Sequence, residues 1–378
     1  MLKLLLTADN HIGLKYAGHE KGALLAQKRI TALTDMVQYA NRSGCGLFLI
    51  AGDLFENTYG ISQRDAAHVL DILSGFGGVT AILPGNHDYY DRDSRLWQSL
   101  TSLSAERDNI LLLTEARPYS LHVNDTDVML YPAPCFAAHS EANTNHLDWI
   151  RDESIPSDGT ICIGIAHGSV QGETPDREGI YYPMTRKELE ELPMDLWCLG
   201  HTHVPFPAGL CAESAPTAER IFNPGTHVQT DVSCATEGLC FLLEADEKKQ
   251  IRARAFHSGS IRFFRRTVSF AGTEMEQTLL RALADIGDDS VVDLILTGAV
   301  EEEDYRCRDE IVTRVLSRFT EGTYRDHALS RRIRPELIDA EFPETSFSAR
   351  FLHALLEDPK EAQLAYELLC TLKEEQKR

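Results

Sequence analysis

Apolar and polar positions alternate in blocks along the first part of the chain, and the blocks predict strands and helices in turn. Leu2–Ala8, Gly46–Ala51 and Val79–Leu83 are apolar runs of the length of buried strands. Between them, Lys21–Asn41 and Gln63–Leu73 have helical spacing. This β-α-β-α-β order predicts a mainly parallel sheet with right-handed crossovers, in which ligands gather at the carboxyl ends of the strands.

From about Asn109 the pattern changes to short apolar runs that are separated by turn residues. These runs predict further strands, and we expect them to form a second sheet packed on the first. The predicted fold class is therefore α/β, or α+β, with a two-sheet sandwich flanked by helices. The predicted strands are Ile110–Thr114, Tyr119–Val123, Asp127–Tyr131, Ile161–Ala166, Leu196–Leu199, Gly238–Glu244 and Ile251–His257.

The last third of the chain has a different organisation. Turn residues at Ser258–Gly259 mark an expected boundary, and a strand-helix-strand-helix pattern follows that predicts a small α/β cap domain. Further on, Ser346–Leu356 and Lys360–Lys373 have the spacing of two short amphipathic helices that are separated by Pro359. We expect a main domain at 1–257, a cap domain at 258–340 and a helical docking segment at 341–378.

The composition is that of an ordinary globular protein, but the charge argues against a generic nucleic-acid binder. Of the 378 residues, 43% are hydrophobic and 25% are charged, and no stretch approaches the roughly 18 apolar residues that span a membrane. Nine cysteines without a C-x-x-C pair favour a cytoplasmic location. With a net charge of −21, an approach to DNA needs bound cations, a local basic patch or a partner.

Five of the predicted strands end in residues that can bind metal ions. Taken singly, each has an ordinary explanation, because aspartate caps helices, asparagine serves turns and a lone histidine is more often a packing residue. Five such ends on one edge predict a shared site. The sequences at these ends are Asp9-Asn10-His11, Gly52-Asp53, Gly85-Asn86-His87-Asp88, His167-Gly168 and Gly200-His201-Thr202-His203.

These residue types indicate the kind of ion and the kind of chemistry. Histidine and carboxylate ligands without cysteine suit Mn²⁺, Fe²⁺ or Zn²⁺. Seven candidate ligands are too many for one ion, but they serve two ions if one carboxylate bridges. Two ions about 3.5–4 Å apart can polarise a phosphoryl oxygen and hold the attacking and leaving oxygens in line. The residues alone therefore predict a dinuclear hydrolase.

The series T-A-D-N-H, A-G-D-L-F, G-N-H-D, A-H-G and G-H-T-H resembles the five-motif signature of calcineurin-like metallophosphoesterases. The first three motifs, with Asn223-Pro224-Gly225-Thr226, are most similar to those of SbcD-type DNA-repair nucleases, the bacterial relatives of the nuclease in the meiotic-recombination repair complex. The later strand-helix pattern resembles the capping domain of that branch. The resemblance implies a Mn²⁺-dependent DNA nuclease, with Fe²⁺ or Zn²⁺ as alternative metals.

By position, the resemblance also implies a role for each residue. One ion would be held by Asp9, His11, Asp53 and His203, and the other by Asp53, Asn86, His167 and His201, with Asp53 bridging. His87 would protonate the leaving oxygen, and Asp88 would orient His87, with helix capping as the alternative. Glu56 departs from the pattern, since archaeal relatives tend to have histidine there, which puts any cleavage step that needs this histidine in doubt.

The resemblance further implies partners. In the SbcD-type family the nuclease dimerises and pairs with an SMC-type coiled-coil ATPase, and the segment Ser346–Lys373 fits a docking element for that ATPase. Gln63–Leu73 and Leu96–Ser104 are candidate dimer helices. Two arginine clusters are candidate DNA contacts, and His227 is a candidate to line the cleft. The clusters are Arg262, Arg265 and Arg266, and Arg331, Arg332 and Arg334.

Two other functions stay open at the level of sequence. The same metal site could serve a phosphodiesterase or phosphatase for nucleotides or other small phosphoesters, which the charge of −21 favours. Alternatively, the chain could be a mainly structural metal-binding subunit of an ATPase complex. The presence of His87 beside a full set of ligands argues against this third hypothesis.

Overall fold

The computed structural model describes residues 1–140, 144–172, 181–234, 236–259, 261–272 and 274–375. The described chain divides into two units, Met1–Arg262 and Phe263–Arg378. Its strands and helices, in chain order, are β1 (Leu2–Thr7), α1 (Gly22–Arg42), β2 (Leu47–Ala51), α2 (Gln63–Ser74), β3 (Val79–Leu83), α3 (Arg95–Ser104), β4 (Ile110–Leu112), β5 (Tyr119–Val123), β6 (Thr126–Ala133), α4 (Asp148–Arg151), β7 (Ile161–His167), α5 (Arg186–Glu191), β8 (Leu196–Gly200), β9 (Ala215–Thr217), β10 (Ile221–Phe222), β11 (Leu239–Ala245), β12 (Ile251–His257), β13 (Arg262–Ala271), α6 (Met275–Ala282), β14 (Ser290–Val300), α7 (Glu302–Arg306), α8 (Arg308–Leu316), β15 (Glu321–Arg331), α9 (Pro335–Glu341), α10 (Phe347–Leu355) and α11 (Pro359–Glu375).

Within the described part of the first unit, the strands form two sheets. One sheet has the order β4-β3-β2-β1-β11-β12-β9, and the other has the order β10-β8-β7-β6-β5. Strands β1 to β4 pair in parallel, as do β6, β7, β8 and β10, whereas β11 pairs antiparallel with β1. The carboxyl ends of the parallel strands therefore deliver their turns to one edge of each sheet.

Alternate residues of each strand face opposite sides of its sheet, which explains the layers of the fold. On β1, Leu4 and Leu6 belong to the core between the two sheets, while Leu5 packs with the helices α1 to α3 on the other face. On β8, Trp197 belongs to a further cluster with residues of α5, on the outer face of the second sheet. This is the mixed α/β sandwich flanked by helices that the sequence predicts.

The assignment of strands to sheets was partly wrong. We expected every strand after Asn109 to lie in the second sheet, but β4, β11 and β12 belong to the first. Strand β4 continues the parallel series next to β3, and β11 pairs along β1 from Leu2↔Ala245 to Leu6↔Phe241. Short apolar runs have no local feature that selects their neighbour, so only the assembled sheet decides it.

The second unit contains a three-stranded sheet of order β13-β14-β15, covered by α6 and α8. The predicted strand-helix-strand-helix pattern matches β13, α6, β14 and α8, but it is incomplete because β15 follows and pairs in parallel with β14. Helices α9, α10 and α11 share a small core around Ile338, Leu352 and Tyr366. Pro359 is the first residue of α11, where its missing N–H costs nothing.

In the part of the chain that the structure describes, no helix combines the length and apolar composition needed to cross a membrane.

Candidate metal centre

The five predicted strand ends lie together. The turns after β1 and β2 are joined by backbone hydrogen bonds, from Asp9 N to Gly52 O at 3.1 Å and from His11 N to Asp53 O at 2.9 Å. The turns after β7 and β8 are joined in the same way, from Gly168 N to Gly200 O at 3.4 Å. All seven residues predicted to bind metal project into this region, and five of them are buried.

The first group of side chains surrounds His11. Its Nε2 lies 2.9 Å from Nε2 of His203 and 3.9 Å from Oδ2 of Asp53. Nε2 of His203 in turn lies 3.5 Å from Oδ1 of Asp9. Two imidazole nitrogens and carboxylate oxygens therefore converge on one point, which is the donor set that a divalent transition metal prefers.

The second group shares Asp53 with the first. Oδ2 of Asp53 lies 3.2 Å from Nε2 of His167, and Oδ1 of Asn86 lies 3.0 Å from both Nε2 of His167 and Nδ1 of His201. The same oxygen of Asp53 therefore faces both His11 and His167, and Asp53 would bridge two ions if both groups were occupied.

The charges of these groups fit bound cations. Asp9 and Asp53 are at most 1% exposed, and one oxygen of each, together with a nitrogen of His167, lies within 4.8 Å of the others. Among the described residues, neither aspartate forms an ion pair with lysine or arginine. Two buried carboxylates this close repel each other unless positive charge lies between them, so the residues fit a pair of metal ions.

The pKa values of the charged groups also indicate that the two aspartates need positive charge beside them. Burial alone would raise the pKa of Asp53, but His167, His11 and His87 hold it well below its usual range. Burial lowers the pKa of His11 and of His203, which favours the neutral form that binds metal. Burial also acts to lower the pKa of His167, but Asp53 outweighs it and raises that pKa to about 9.

The candidate ligands are held in place by hydrogen bonds to backbone groups. Nδ1 of His167 donates to the carbonyl oxygen of Ala51 at 2.8 Å, which leaves Nε2 directed at Asp53. Both carboxylate oxygens of Asp9 accept from the backbone N–H of His201 at 3.0 Å. The glycines permit this crowding, since a Cβ on Gly85 would lie 2.2 Å from Oδ1 of Asp53.

His87 differs from the other histidines of the site because its side chain is exposed. Its ring is edge-on to that of His11, with centroids 4.7 Å apart, and its backbone N–H donates to Oδ1 of Asp53 at 2.8 Å. Nδ1 lies 3.0 Å from the carbonyl oxygen of Glu56. A proton on Nδ1 is therefore fixed by that carbonyl, and Nε2 is the nitrogen that is available to a substrate.

The structure gives Asp88 a different role from the one expected. Its carboxylate accepts hydrogen bonds from Gly85 N at 2.7 Å and from Phe55 N at 3.0 Å, and the group that orients the ring of His87 is the Glu56 carbonyl. No helix that the structure describes has Asp88 as its N-cap; α3, the next helix in the chain, is capped by Ser94. It joins the turns after β2 and β3, and burial, followed by the charge of Asp53, raises its pKa to about 7.

Two contacts of the site escape sequence reasoning. Glu56 places Oε2 3.1 Å from Nδ1 of His11, the ring nitrogen that faces away from His203. Arg29, on α1, is 1% exposed, and its Nη2 donates to the carbonyl oxygen of Asn10 at 2.7 Å. His227 is buried, with Nε2 3.0 Å from the Arg29 carbonyl oxygen, so it packs behind the site and does not line the cleft.

A comparison of the sequence with known protein families agrees with this geometry. The family model for calcineurin-like phosphoesterases matches residues 2–205, more than half of the chain. The chain therefore belongs to the calcineurin-like phosphoesterase family, and its site is that of a metal-dependent phosphoester hydrolase with room for two divalent ions. No curated protein sequence matches the chain.

Among solved structures, the chain is similar to a dimetal phosphatase from Danio rerio. The two share 13% sequence identity and a TM-score of 0.34, over 59% of this chain and 86% of the phosphatase chain.

Proposed function

We propose that this protein is a Mn²⁺-dependent nuclease that hydrolyses phosphodiester bonds of DNA. The observation that carries the proposal is the exposed His87 beside a cluster of seven candidate ligands, five of which are buried. A site kept only for architecture needs the ligands but does not need an exposed acid with its second nitrogen already fixed. The motifs G-N-H-D and N-P-G-T, which resemble those of SbcD-type nucleases, support DNA as the substrate.

The residues fit two ions, one held by Asp9, His11, Asp53 and His203, and the other by Asp53, Asn86, His167 and His201. When bound, two such ions supply Lewis-acid polarisation of a phosphoryl oxygen and offset the charge that develops on it.

His87 supplies the proton of the reaction. The sugar oxygen that leaves from DNA is a strong base, and it departs more easily when a positioned acid protonates it. In the protonated ring, Nδ1–H donates to the Glu56 carbonyl, and Nε2–H carries the proton toward the leaving oxygen. Because this carbonyl belongs to the turn after β2, which also contains Asp53, the acid and the bridging ligand are held by the same short segment.

One observation favours a second candidate, a phosphodiesterase or phosphatase that acts on small phosphoesters. The arginine clusters expected to contact DNA are each paired with carboxylates of this chain, so their charge is already offset. A partner protein would then have to supply basic surface for DNA. The pairs are Arg262 with Glu237, Arg265 with Asp293, Arg266 with Asp285, Arg331 with Glu302, and Arg332 and Arg334 with Glu301.

We infer that such a partner is an SMC-type coiled-coil ATPase that binds the C-terminal helices. Phe347 and Phe351 of α10 are 74% and 40% exposed, and their rings stack with centroids 5.5 Å apart. On α11, Leu364, Leu368 and Leu372 are 62%, 57% and 53% exposed and recur every four residues. Apolar groups repeated on one face of a helix are typical of a surface that another helix covers. A homodimer through α2 and α3 belongs to the same proposal.

Cleavage of end-labelled linear duplex DNA with Mn²⁺ tests the substrate. We expect metal-dependent shortening that Asp53→Ala abolishes and that Asp108→Ala, an exposed carboxylate outside the site, leaves unchanged. Absence of DNA cleavage, with brisk Asp53-dependent hydrolysis of a small diester, would favour the second candidate. If the ATPase restores cleavage, then Leu364→Glu with Leu368→Glu should remove both association and cleavage and leave small-diester hydrolysis intact. Retained association would contradict the docking proposal.

A further inference from the structure

One residue contacts both a candidate metal ligand and the proposed acid. In the turn after β2, Oε2 of Glu56 lies 3.1 Å from Nδ1 of His11, and the carbonyl oxygen of Glu56 lies 3.0 Å from Nδ1 of His87. The backbone N–H of Glu56 donates to the carbonyl oxygen of Ile12 at 3.0 Å, so its main chain is fixed next to His11. The carboxylate is therefore the part of Glu56 that a substitution can change while the contact to the proposed acid remains.

The two nitrogens of the His11 ring face different groups. Nε2 lies 2.9 Å from Nε2 of His203, whereas Nδ1 faces the Glu56 carboxylate. The side chain of His11 is only 4% exposed, so water has little access to Nδ1. A carboxylate beside one imidazole nitrogen keeps the proton on that nitrogen, and the other nitrogen becomes a stronger metal ligand. Glu56 thus favours the form of His11 that presents Nε2 as a ligand.

The two buried aspartates do not distinguish the two groups of candidate ligands. An oxygen of Asp9 and an oxygen of Asp53 each lie within 4.8 Å of a ring nitrogen of His11, and the same holds for His167. Both groups therefore receive negative charge from these carboxylates. A difference in affinity between the groups has to come from other residues.

The groups behind the two histidine rings do differ in charge. Behind His11 lies the carboxylate of Glu56, whereas Nδ1 of His167 donates to a neutral group, the carbonyl oxygen of Ala51, at 2.8 Å. Asn86, which belongs to the group of His167, is neutral as well. The group around His11 therefore has an additional negative charge close to it, and this charge favours the binding of a dication.

We propose that Glu56 is a positioning residue that makes the group around His11 the tighter of the two metal sites, so that the ions bind in sequence, first beside His11 and then beside His167. Residues that contact a ligand in this way change metal affinity by about 10- to 100-fold. The inference rests on the two-ion centre of the proposed function and adds the order in which the centre fills. Because hydrolysis uses both ions, the weaker site sets the Mn²⁺ concentration at which the enzyme becomes active.

The test is a titration of the metal-free, full-length protein with Mn²⁺. Electron paramagnetic resonance measures the free ion and distinguishes a single bound ion from a magnetically coupled pair. In the wild type we expect two classes of site, with the single-ion signal at low occupancy and the signal of the coupled pair only after it. Two variants assign the classes: Asn86→Ala should remove the weaker class and keep the tighter one, and His203→Ala should do the reverse.

The carboxylate of Glu56 is tested by two substitutions. We expect Glu56→Gln to weaken the tighter class by about 10-fold, since the amide oxygen still accepts from Nδ1 of His11 but has no charge, and Glu56→Ala to weaken it by up to about 100-fold. The weaker class should change by less than about two-fold, so the coupled pair appears earlier in the titration of both variants. Glu213→Gln, at an exposed glutamate outside the site, is the matched control. Turnover by Glu56→Gln should recover at saturating Mn²⁺, because the carbonyl that holds His87 remains.

The outcomes separate this inference from the proposed function. If the wild type binds two ions but the Glu56 variants leave both classes unchanged, or weaken both equally, the inference is overturned and the two-ion centre stands. A coupled pair at the first additions of Mn²⁺ to the wild type, or loss of the tighter class in Asn86→Ala, overturns it as well. If the wild type binds no Mn²⁺, the proposed function fails together with the inference. Sequential binding without DNA cleavage supports the inference and counts against the nuclease. If Glu56→Ala does not fold, Glu56→Gln decides by the same criteria.

Discussion

The buried guanidinium behind the metal centre allows a prediction that sequence alone could not have made. Arg29 donates to the carbonyl oxygen of Asn10 through Nε at 3.1 Å and Nη2 at 2.7 Å, and to the Tyr16 hydroxyl at 3.0 Å. Among the described residues it has no carboxylate partner within ion-pair distance. Its contacts therefore secure a backbone carbonyl that lies between two candidate metal ligands, Asp9 and His11.

The expected effect of Arg29→Met on folding is modest. Asn10 keeps a buried carbonyl without its two donors, which costs about 1–3 kcal/mol. The substitution also removes a buried charge, whose desolvation costs several kcal/mol. Removing this charge offsets the cost of the unpaired Asn10 carbonyl. We therefore expect the free energy of unfolding to fall by no more than about 3 kcal/mol.

The expected effect on metal binding is larger than the effect on folding suggests. Asp9 and His11 have φ of 52° and 44°, and a non-glycine residue in this region costs about 1–3 kcal/mol. Without the bonds to the Asn10 carbonyl, the turn can relax, and metal binding must restore the strained conformation. Restoring it at one residue weakens binding by roughly 5- to 150-fold, so we expect Mn²⁺ to bind about 10- to 100-fold more weakly.

The assay is titration of the metal-free protein with Mn²⁺, followed by calorimetry or by the electron paramagnetic resonance of free Mn²⁺. Arg42→Met, at the exposed end of the same helix, is the control and should bind like the wild type. Arg29→Lys keeps the charge but not the forked donor geometry, and should fall between the two. A folded Arg29→Met that binds Mn²⁺ within two-fold of the wild type would refute the reasoning. If that variant does not fold, Arg29→Lys decides the question by the same criterion.

Three further predictions concern the acid, the ions and pH. His87→Gln should lower the turnover of DNA by about 10²- to 10⁴-fold but that of p-nitrophenyl diesters far less, since p-nitrophenolate leaves without a proton; equal losses would contradict the role of general acid. Mn²⁺ at 100 times its Kd should raise the free energy of unfolding by about 2.7 kcal/mol per independent site, as measured by denaturant titration, and Asp53→Ala should remove most of this gain. Burial acts to raise the pKa of Glu219, but Arg186 at 3.0 Å and two backbone N–H groups hold it below its usual value of 4.5. Because the folded-state pKa is depressed, this carboxylate stabilises the protein above about pH 4.5 and loses its contribution as pH falls through the folded-state value. The difference in unfolding free energy between the wild type and Glu219→Gln should therefore be constant near neutral pH and shrink in acid, and a difference that grows in acid would contradict the assigned sign.

The strands that the sequence predicts differ from β15, one of those it misses, in how much of each is buried. Strand β2 is buried at every position, so its apolar run is unambiguous. Strand β15 is exposed or half-buried at most positions, and its sequence EGTYRDHALSR alternates charged and small residues. Its pairing with β14 depends on backbone hydrogen bonds and on Tyr324 and Leu329, which pack against the core of the second unit. An edge strand of this kind has no hydrophobic signal in its own sequence.

The sequence predicts which residues lie together at the candidate site, but it does not predict the residues that support them. The reason is that the supporting contacts join residues that are far apart in the chain. A ligand that follows an apolar strand is visible in a few adjacent letters. Arg29 lies on an amphipathic helix, where an arginine usually faces solvent, and its partner carbonyl is 19 residues away in the chain. The roles of Glu56 and Asp88 likewise depend on which turn lies across from them.

Backbone conformation at the ligands shows why local preferences fail at this site. Five of the seven candidate ligands, Asp9, His11, Asp53, His201 and His203, have φ between 44° and 101°. Glycine is the residue that local preference would select at such positions, but glycine cannot bind a metal ion. The side chains are required there, so the strain has to be offset by contacts from other parts of the chain, such as the bonds of Arg29 to Asn10 and of the Thr226 hydroxyl to the carbonyl oxygen of Asp9 at 2.9 Å. It follows that substitutions at these supporting residues should weaken metal binding more than they weaken the fold, which is the difference that the Arg29 titration measures.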